Sequence, residues 1–266
     1  MTDPVLLDLT DGVATITLNR PEAMNSLDIA TKQALLDAVR QVADDPAARC
    51  VVLTGSGRAF CVGQDLKQHI EILDSPDPAH QDQLFRTVEE HYNPIVTTLV
   101  AMAKPVIAAV NGVAAGAGAS LAFACDLRFL ADTAGYNLAF AGVALSCDTG
   151  SSFTLQRLVG PAKAIELLYQ PRTIKADEAL ALGLATKVVP GDALAEEVRS
   201  VATALASGPT LAYGAMRRSV AYAAGHSFEE AVAFEAEMMT LTGATHDHRA
   251  AVHAFVNKER PSFEGR

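Results

Sequence analysis

Hydrophobic residues recur along the chain with two different periods, and the switches between them mark out its elements. Val5 to Leu9 and Val13 to Leu18 flank Asp11-Gly12, a strong turn signal, which predicts a β-hairpin. Leu35, Val39 and Val42 then fall on one face at helical spacing, the mark of an amphipathic helix. Cys50 to Leu53 and Val106 to Val110 are unbroken apolar runs, closed by Thr54 to Gly57 and by Asn111-Gly112. Such runs predict strands buried on both faces. Leu127 to Leu130 and Thr186 to Val189 predict two more, the second stopped by Pro190-Gly191. Beyond that point strand signals cease. Ser227 with Glu230 forms a capping box that opens one helix, and Ala251, Val252, Phe255 and Val256 line the apolar face of the last. The order of elements predicts an α/β fold followed by a helical region.

Two junctions carry the chemistry. After Val106 to Val110 the chain turns at Asn111-Gly112, and Gly116, Ala117 and Gly118 open a helix built almost wholly of Gly, Ala and Ser. The first N–H groups of a helix have no intrahelical partners, and small side chains let a ligand approach them, so this is a place for an anion or oxyanion. Close packing of a helix on a sheet accounts for the same residues. The second junction is Arg58 to Asp65, an irregular loop in which the Val62 amide precedes Gly63.

Together these junctions resemble the crotonase, or enoyl-CoA hydratase/isomerase, superfamily. Its pattern A-F-x-x-G-x-D is met by Ala59, Phe60, Gly63 and Asp65, with Leu66 following, and P-V-I-A-A-V-N-G-x-A-x-G-x-G by Pro105 to Gly118. The resemblance extends to Asn19-Arg20-Pro21, Asn25-Ser26-Leu27, Gln156 to Gly160, Ala176 to Gly183 and Phe255 to Arg260. It implies a spiral of ββα units over residues 1–200 and a helical region over 201–266 that joins subunits into a homotrimer or a dimer of trimers. It also implies that the Val62 and Ala117 amides form an oxyanion hole for the thioester carbonyl of an acyl-CoA. Because the donors are main-chain groups, Val and Ala serve there, although Ala117 replaces the commoner Gly. Ala59, Phe60, Gly63, Asp65, Leu66, Gly116, Ser120, Phe140 and Leu145 are the matching positions around the acyl group, and Phe255 and Lys258 those of the terminal segment that helps hold CoA. The polar stretch from Gln68 to His91 takes the place of a variable pocket wall.

The chain departs from the hydratases of that family in two places. They carry two glutamates that hold the water to be added; here Ser120 and Phe140 stand at those positions, and neither is a carboxylate base. A third acidic position remains at Asp148, in a segment that looks like the corresponding loop of the Δ3,Δ2-enoyl-CoA and ring-type acyl-CoA isomerases. Isomerisation requires only one carboxylate, which removes a proton and returns it two carbons along while the enolate oxygen is held. Apolar surroundings from Phe140, Val143 and Leu145 would raise its pKa suitably. Asp before Thr149-Gly150 is equally at home as a turn or helix-cap residue.

Other readings stay open. Gly118-Ala119-Ser120 approaches a nucleophile elbow, but the closing Gly is missing and no His has a matching context. The hydrolytic dehalogenases of the same superfamily pair an Asp with a His where this chain has Thr97; His91 lies about a turn and a half away. Ser120 and Phe140 also suit a non-catalytic acyl-CoA binder. Gly116-Ala117-Gly118 lacks the third Gly of a dinucleotide fingerprint.

Composition narrows the setting. The 266 residues are half hydrophobic, enough for a full core, and the net charge of −10 argues against nucleic acid or an anionic membrane as partner. CoA is itself anionic, so local cations must offset the acidic whole; Arg20, Lys67 and Lys258 are the candidates. Cys50, Cys61, Cys125 and Cys147 have no metal-ligand spacing, and His246 and His248 fall on different sides of a helix, so no metal and no redox cofactor is expected. No signal peptide and no membrane-spanning apolar run is found, which makes the cytoplasm the expected compartment.

Overall fold

The expected hairpin forms, with β1 (Val5–Thr10) antiparallel to β2 (Val13–Leu18), and opens a computed structural model that describes residues 3–266, the side chains of residues 78, 79 and 81–83 aside. Alternate residues of β2 are buried, as its alternating sequence requires. Helix α1 (Ile29–Asp44) is capped at its start by the Asp28 carboxylate, and at its end Lys104 Nζ donates to the carbonyls of Val42 and Asp45, 2.8 Å each. The chain then passes through β3 (Cys50–Gly55), β4 (Ala59–Cys61), α2 (Leu66–Leu73), α3 (Pro78–Thr87), a turn of π-helix over Val88–Tyr92 and α4 (Asn93–Ala101). Next come β5 (Val106–Val110), β6 (Val113–Ala115), α5 (Ala117–Phe123), β7 (Leu127–Ala131), β8 (Gly135–Asn137), α6 (Ser151–Val159) and α7 (Pro161–Tyr169). β9 (Thr173–Lys175), α8 (Ala176–Ala181), β10 (Lys187–Val189) and the helices α9 (Leu194–Ala206), α10 (Thr210–Ala223), α11 (Phe228–Gly243) and α12 (His246–Asn257) complete it.

Two sheets result. The larger runs β1-β2-β3-β5-β7-β10, parallel from β2 onward, and the smaller runs β4-β6-β8-β9. Each turn of the spiral sends a long strand to the first sheet and a three-residue strand to the second: β3 then β4, β5 then β6, β7 then β8. β5 is buried at every residue, which is why its sequence shows no alternation. α9 packs on β3, β5 and β7, so the spiral's own core continues past residue 200. The strands β4, β6, β8 and β9 have no counterpart in the sequence reading, where Arg58 to Asp65 stands as an irregular loop and β5 is followed only by the Asn111-Gly112 turn.

One buried amide ties these layers together. Asn25 is fully buried in the left-handed region at φ 55°; its Oδ1 accepts from the Arg20 N–H, and its Nδ2 donates to the carbonyls of Ser56 and Ala59 at 2.9 and 2.8 Å. Asn25→Ala strands the Arg20 N–H and the Ser56 carbonyl. A buried group left without its partner costs about 1–3 kcal/mol, so we expect a loss of that order in urea unfolding.

The last three helices leave much apolar surface uncovered within one chain, including Val220, Phe228, Met239, Phe255 and Val256. The apolar face expected of the last helix is present, but most of it faces outward. Among the described residues no helix is long and apolar enough to cross a membrane.

Candidate active site

The two junctions singled out in the sequence meet where the small sheet hands the chain on to α2 and α5. Residues 63–65 are pinned to the segment before α1 by an isolated bridge, in which the Leu27 N–H donates to the Gly63 carbonyl at 2.8 Å and the Asp65 N–H to the Leu27 carbonyl at 3.2 Å. Gly63 has φ +84°, and a β-carbon there would lie 2.9 Å from the Ala115 oxygen and 3.3 Å from the Ala117 nitrogen. Gly118 packs equally tightly on Cys61, whose carbonyl oxygen would collide with any side chain at that position. These two glycines set the backbone of Val62 beside that of Ala117. Among the described residues neither the Val62 nor the Ala117 amide has a hydrogen-bond acceptor in the protein, and Ala117 is the first residue of its helix, preceded by Gly116 at φ 49°. Ala59 and Phe60 lie buried behind them.

Two sets of neighbours locate Asp148 relative to these junctions. Three residues on, Ser151 hydrogen-bonds through its hydroxyl to that of Ser120, on the first turn of α5. On its other side Asp148 lies within electrostatic reach of Lys32 and Tyr92, and both of these hydrogen-bond to the side-chain oxygen of Gln64, two residues after Val62. Burial pushes the Asp148 carboxyl above its ordinary pKa, a shift opposed by hydrogen bonds from Thr149 and its own amide and by the Lys32 charge. Its side chain caps no helix: the N-cap of α6 is Gly150, which supplies no side chain, and the Asp148 carboxylate accepts instead from the Thr149 hydroxyl at 2.8 Å. Thr149 is buried at φ 51°, a conformation that a β-branched residue adopts only under constraint.

Lys32, Gln64 and Tyr92 play no part in the sequence reading. Lys32 nevertheless carries a legible signal, since it lies three residues before Leu35 and seven before Val39, on the apolar face of α1. Its residue is 1% exposed, and burial lowers its pKa to about 8.

The remaining predicted residues separate into those drawn into this site and those committed elsewhere. Ser120 is fully buried and its hydroxyl is shared between the Gly116 carbonyl and Ser151; no His accompanies it, which removes the elbow reading. Phe140 is buried, but Val143 and Leu145 are 50% and 41% exposed, so the apolar wall expected of them is not formed within one chain. Asp65 caps α2 and binds Ser26 and Arg20. Burial alone would raise its pKa, yet these hydrogen bonds outweigh it and hold the carboxyl below its usual value. Arg20 is thereby withdrawn from the cations considered for CoA: its guanidinium is engaged by Asp65, Asp28 and the Ser26 carbonyl. Lys67 stays exposed, as does Leu66. Phe255, 83% exposed, and Lys258, the left-handed residue ending α12, both face outward.

Known proteins place this geometry. The family model described as Enoyl-CoA hydratase/isomerase matches residues 8–266. The chain is 36% identical to 1,2-epoxyphenylacetyl-CoA isomerase of Escherichia coli over 100% of both chains. It is 35% identical to crotonyl-CoA hydratase of Syntrophomonas wolfei over 97% of each. A crystal structure of an enoyl-CoA hydratase/isomerase from Mycobacterium abscessus superposes with a TM-score of 0.93 at 40% identity, covering 98% of this chain and 100% of that one. With its crotonase-type spiral and a match over nearly its whole length, the chain belongs to the enoyl-CoA hydratase/isomerase family.

Proposed function

We propose that the protein is an acyl-CoA isomerase that moves a carbon–carbon double bond by a 1,3-proton transfer. What supports this reading is a single carboxyl, Asp148, on the segment that Ser151 joins to the first turn of α5, together with two main-chain amides that have no acceptor among the described residues. In the proposed reaction the thioester oxygen accepts hydrogen bonds from the Val62 and Ala117 N–H groups. Asp148 removes a proton from the α-carbon of a 3-enoyl thioester, the electron pair spreads onto that oxygen, and the same carboxyl returns the proton to the γ-carbon, giving the 2-enoyl thioester. Atoms and charge balance without a metal or redox cofactor. Fixed donors stabilise the developing charge without reorganising, and in enzymes that build up an oxyanion this effect usually outweighs every other source of acceleration.

Hydratases of the family bring two carboxylates to the attacking water. Here the matching positions are a serine already bonded to Ser151 and a buried phenylalanine. The similarity to an isomerase supports the same reading, while the similarity to a hydratase is the reason to test it. Incubation with trans-3-enoyl-CoA is expected to yield the trans-2-enoyl thioester, and incubation with the latter to yield no 3-hydroxyacyl product. Hydration as fast as bond migration, followed by chromatography, counts against the proposal.

The uncovered faces of α10 to α12 are proposed to pack against further copies in a trimer or pair of trimers, where Phe255 and Lys258 can reach a CoA moiety.

A further inference from the structure

Beside the proposed reaction centre lies a cavity of about 290 Å³ between α1, α2 and α3, in which apolar side chains (Ile29, Ile72, Leu84) alternate with polar ones. Among the described residues its polar side chains include Lys32, Gln64, Gln68 and Thr87. In a mixed lining the apolar side chains hold the ligand and the few polar groups fix its orientation and specificity.

Lys32 is the unusual member. An ammonium group has three N–H donors. One reaches the Gln64 side-chain oxygen at 3.2 Å and another the Thr87 hydroxyl at 2.5 Å, while the Tyr92 ring lies 5.3 Å from the nitrogen. Both acceptors are neutral and both are shared, Gln64 with Tyr92 and Thr87 with His91. Asp28, Asp65 and Asp148 act on the charge only through space, and among the described residues none pairs with it directly. A buried cation is ordinarily paired, because removing it from water costs several kcal/mol. This one lines a cavity with a donor to spare.

We propose that Lys32 donates a hydrogen bond to an oxygen atom on the distal part of the acyl group, so that the protein prefers oxygen-bearing acyl-CoA thioesters to plain hydrocarbon ones. The inference rests on the proposed seating of the thioester at Val62 and Ala117, since Gln64, two residues after Val62, accepts from Lys32 and so sets the ammonium on the Val62 side of the site. A cation serves equally for an uncharged carbonyl, ether or epoxide oxygen and for a carboxylate, and the test separates them. With its pKa near 8, Lys32 remains mostly protonated at neutral pH.

The test is calorimetric titration of the intact protein with three saturated thioesters that cannot isomerise: hexanoyl-CoA, 5-oxohexanoyl-CoA and adipoyl-CoA. At least one oxygen-bearing ligand is expected to bind tenfold or more tightly than hexanoyl-CoA. Preference for the oxo compound identifies a neutral oxygen, and preference for adipoyl-CoA a carboxylate. In Lys32→Met the preference is expected to fall below threefold, with Lys32→Gln as the replacement of similar reach should the first variant not fold. Equal affinities in the wild type, or a preference that survives both substitutions, overturn the proposal. A merely structural lysine would leave the order of affinities unmoved. Because no chemistry occurs, an inactive protein that keeps this order refutes the isomerase reading alone, whereas failure to bind any of the three refutes both.

Discussion

Replacing Asp148 by Asn is expected to lower kcat for double-bond migration by about 10²–10⁴-fold, the range over which a positioned proton-transfer group accelerates such steps. KM should change little, because the carboxyl moves the proton and the amides hold the thioester. The variant keeps the shape of the side chain and a hydrogen-bonding oxygen for Thr149, so a smaller effect would mean that the proton is carried by another group. The pH dependence follows from the direction of the shift. Asp148 must be ionised to accept a proton, and burial raises its pKa, so the acid limb of the wild-type kcat/KM profile should lie above the ~3.9 of an exposed aspartate. The same shift has a thermodynamic face. A carboxyl whose pKa is raised in the folded state binds its proton more tightly there than in the unfolded chain. Its contribution therefore stabilises the fold in acid and is lost as pH rises through the folded pKa. Asp148→Asn should accordingly melt above the wild type at neutral pH, with the gap closing in acid. A variant both slower and more stable marks a group held at a cost to the fold; one that is slower and less stable marks a structural aspartate.

Gly118→Ala should be nearly as damaging to turnover without touching a side chain of the site. The added methyl runs into the Cys61 carbonyl oxygen, and main chain on both sides cannot yield as a flexible side chain can. Overpacking of this kind costs about 1–3 kcal/mol in stability. Relief requires α5 to move away from β4, which separates the Ala117 amide from that of Val62. Loss of one oxyanion donor lowers kcat by about 10²–10³-fold, so a comparable drop is expected. Gly225→Ala is the control, since a β-carbon there meets nothing within 4 Å. Activity near the wild-type level in Gly118→Ala, with ordinary stability, would show that the spacing of the two amides does not matter.

Long elements with a strong period were readable in advance because burial writes itself into their sequence: the hairpin, α1, and the doubly buried β3 and β5 all fall where the pattern puts them. The small sheet was not, because strands of three residues such as β4 and β6 are too short to show a period. They are strands only because the spiral lays them side by side. Of the groups proposed for the site, Val62, Ala117 and Asp148 emerged from motif and resemblance, yet Lys32, Gln64 and Tyr92 did not. Their importance depends on contacts between α1, the segment after β4 and the turn before α4, which lie far apart in the chain. Lys32 alone was visible as a charge on an apolar stripe. Arg20 illustrates the converse, a cation whose apparent freedom ends once Asp28 and Asp65 are seen around it.

The groups proposed to bear the negative charge belong to the peptide backbone at positions 62 and 117. Alanine scanning is therefore blind to them: residue 117 is already alanine, and trimming valine at 62 leaves its nitrogen in place. Evolution has the same latitude, free to exchange side chains there while the chemistry persists unaltered. Exchanging either peptide link for an ester by semisynthesis, which deletes one hydrogen and little else, is the substitution that reads their contribution directly.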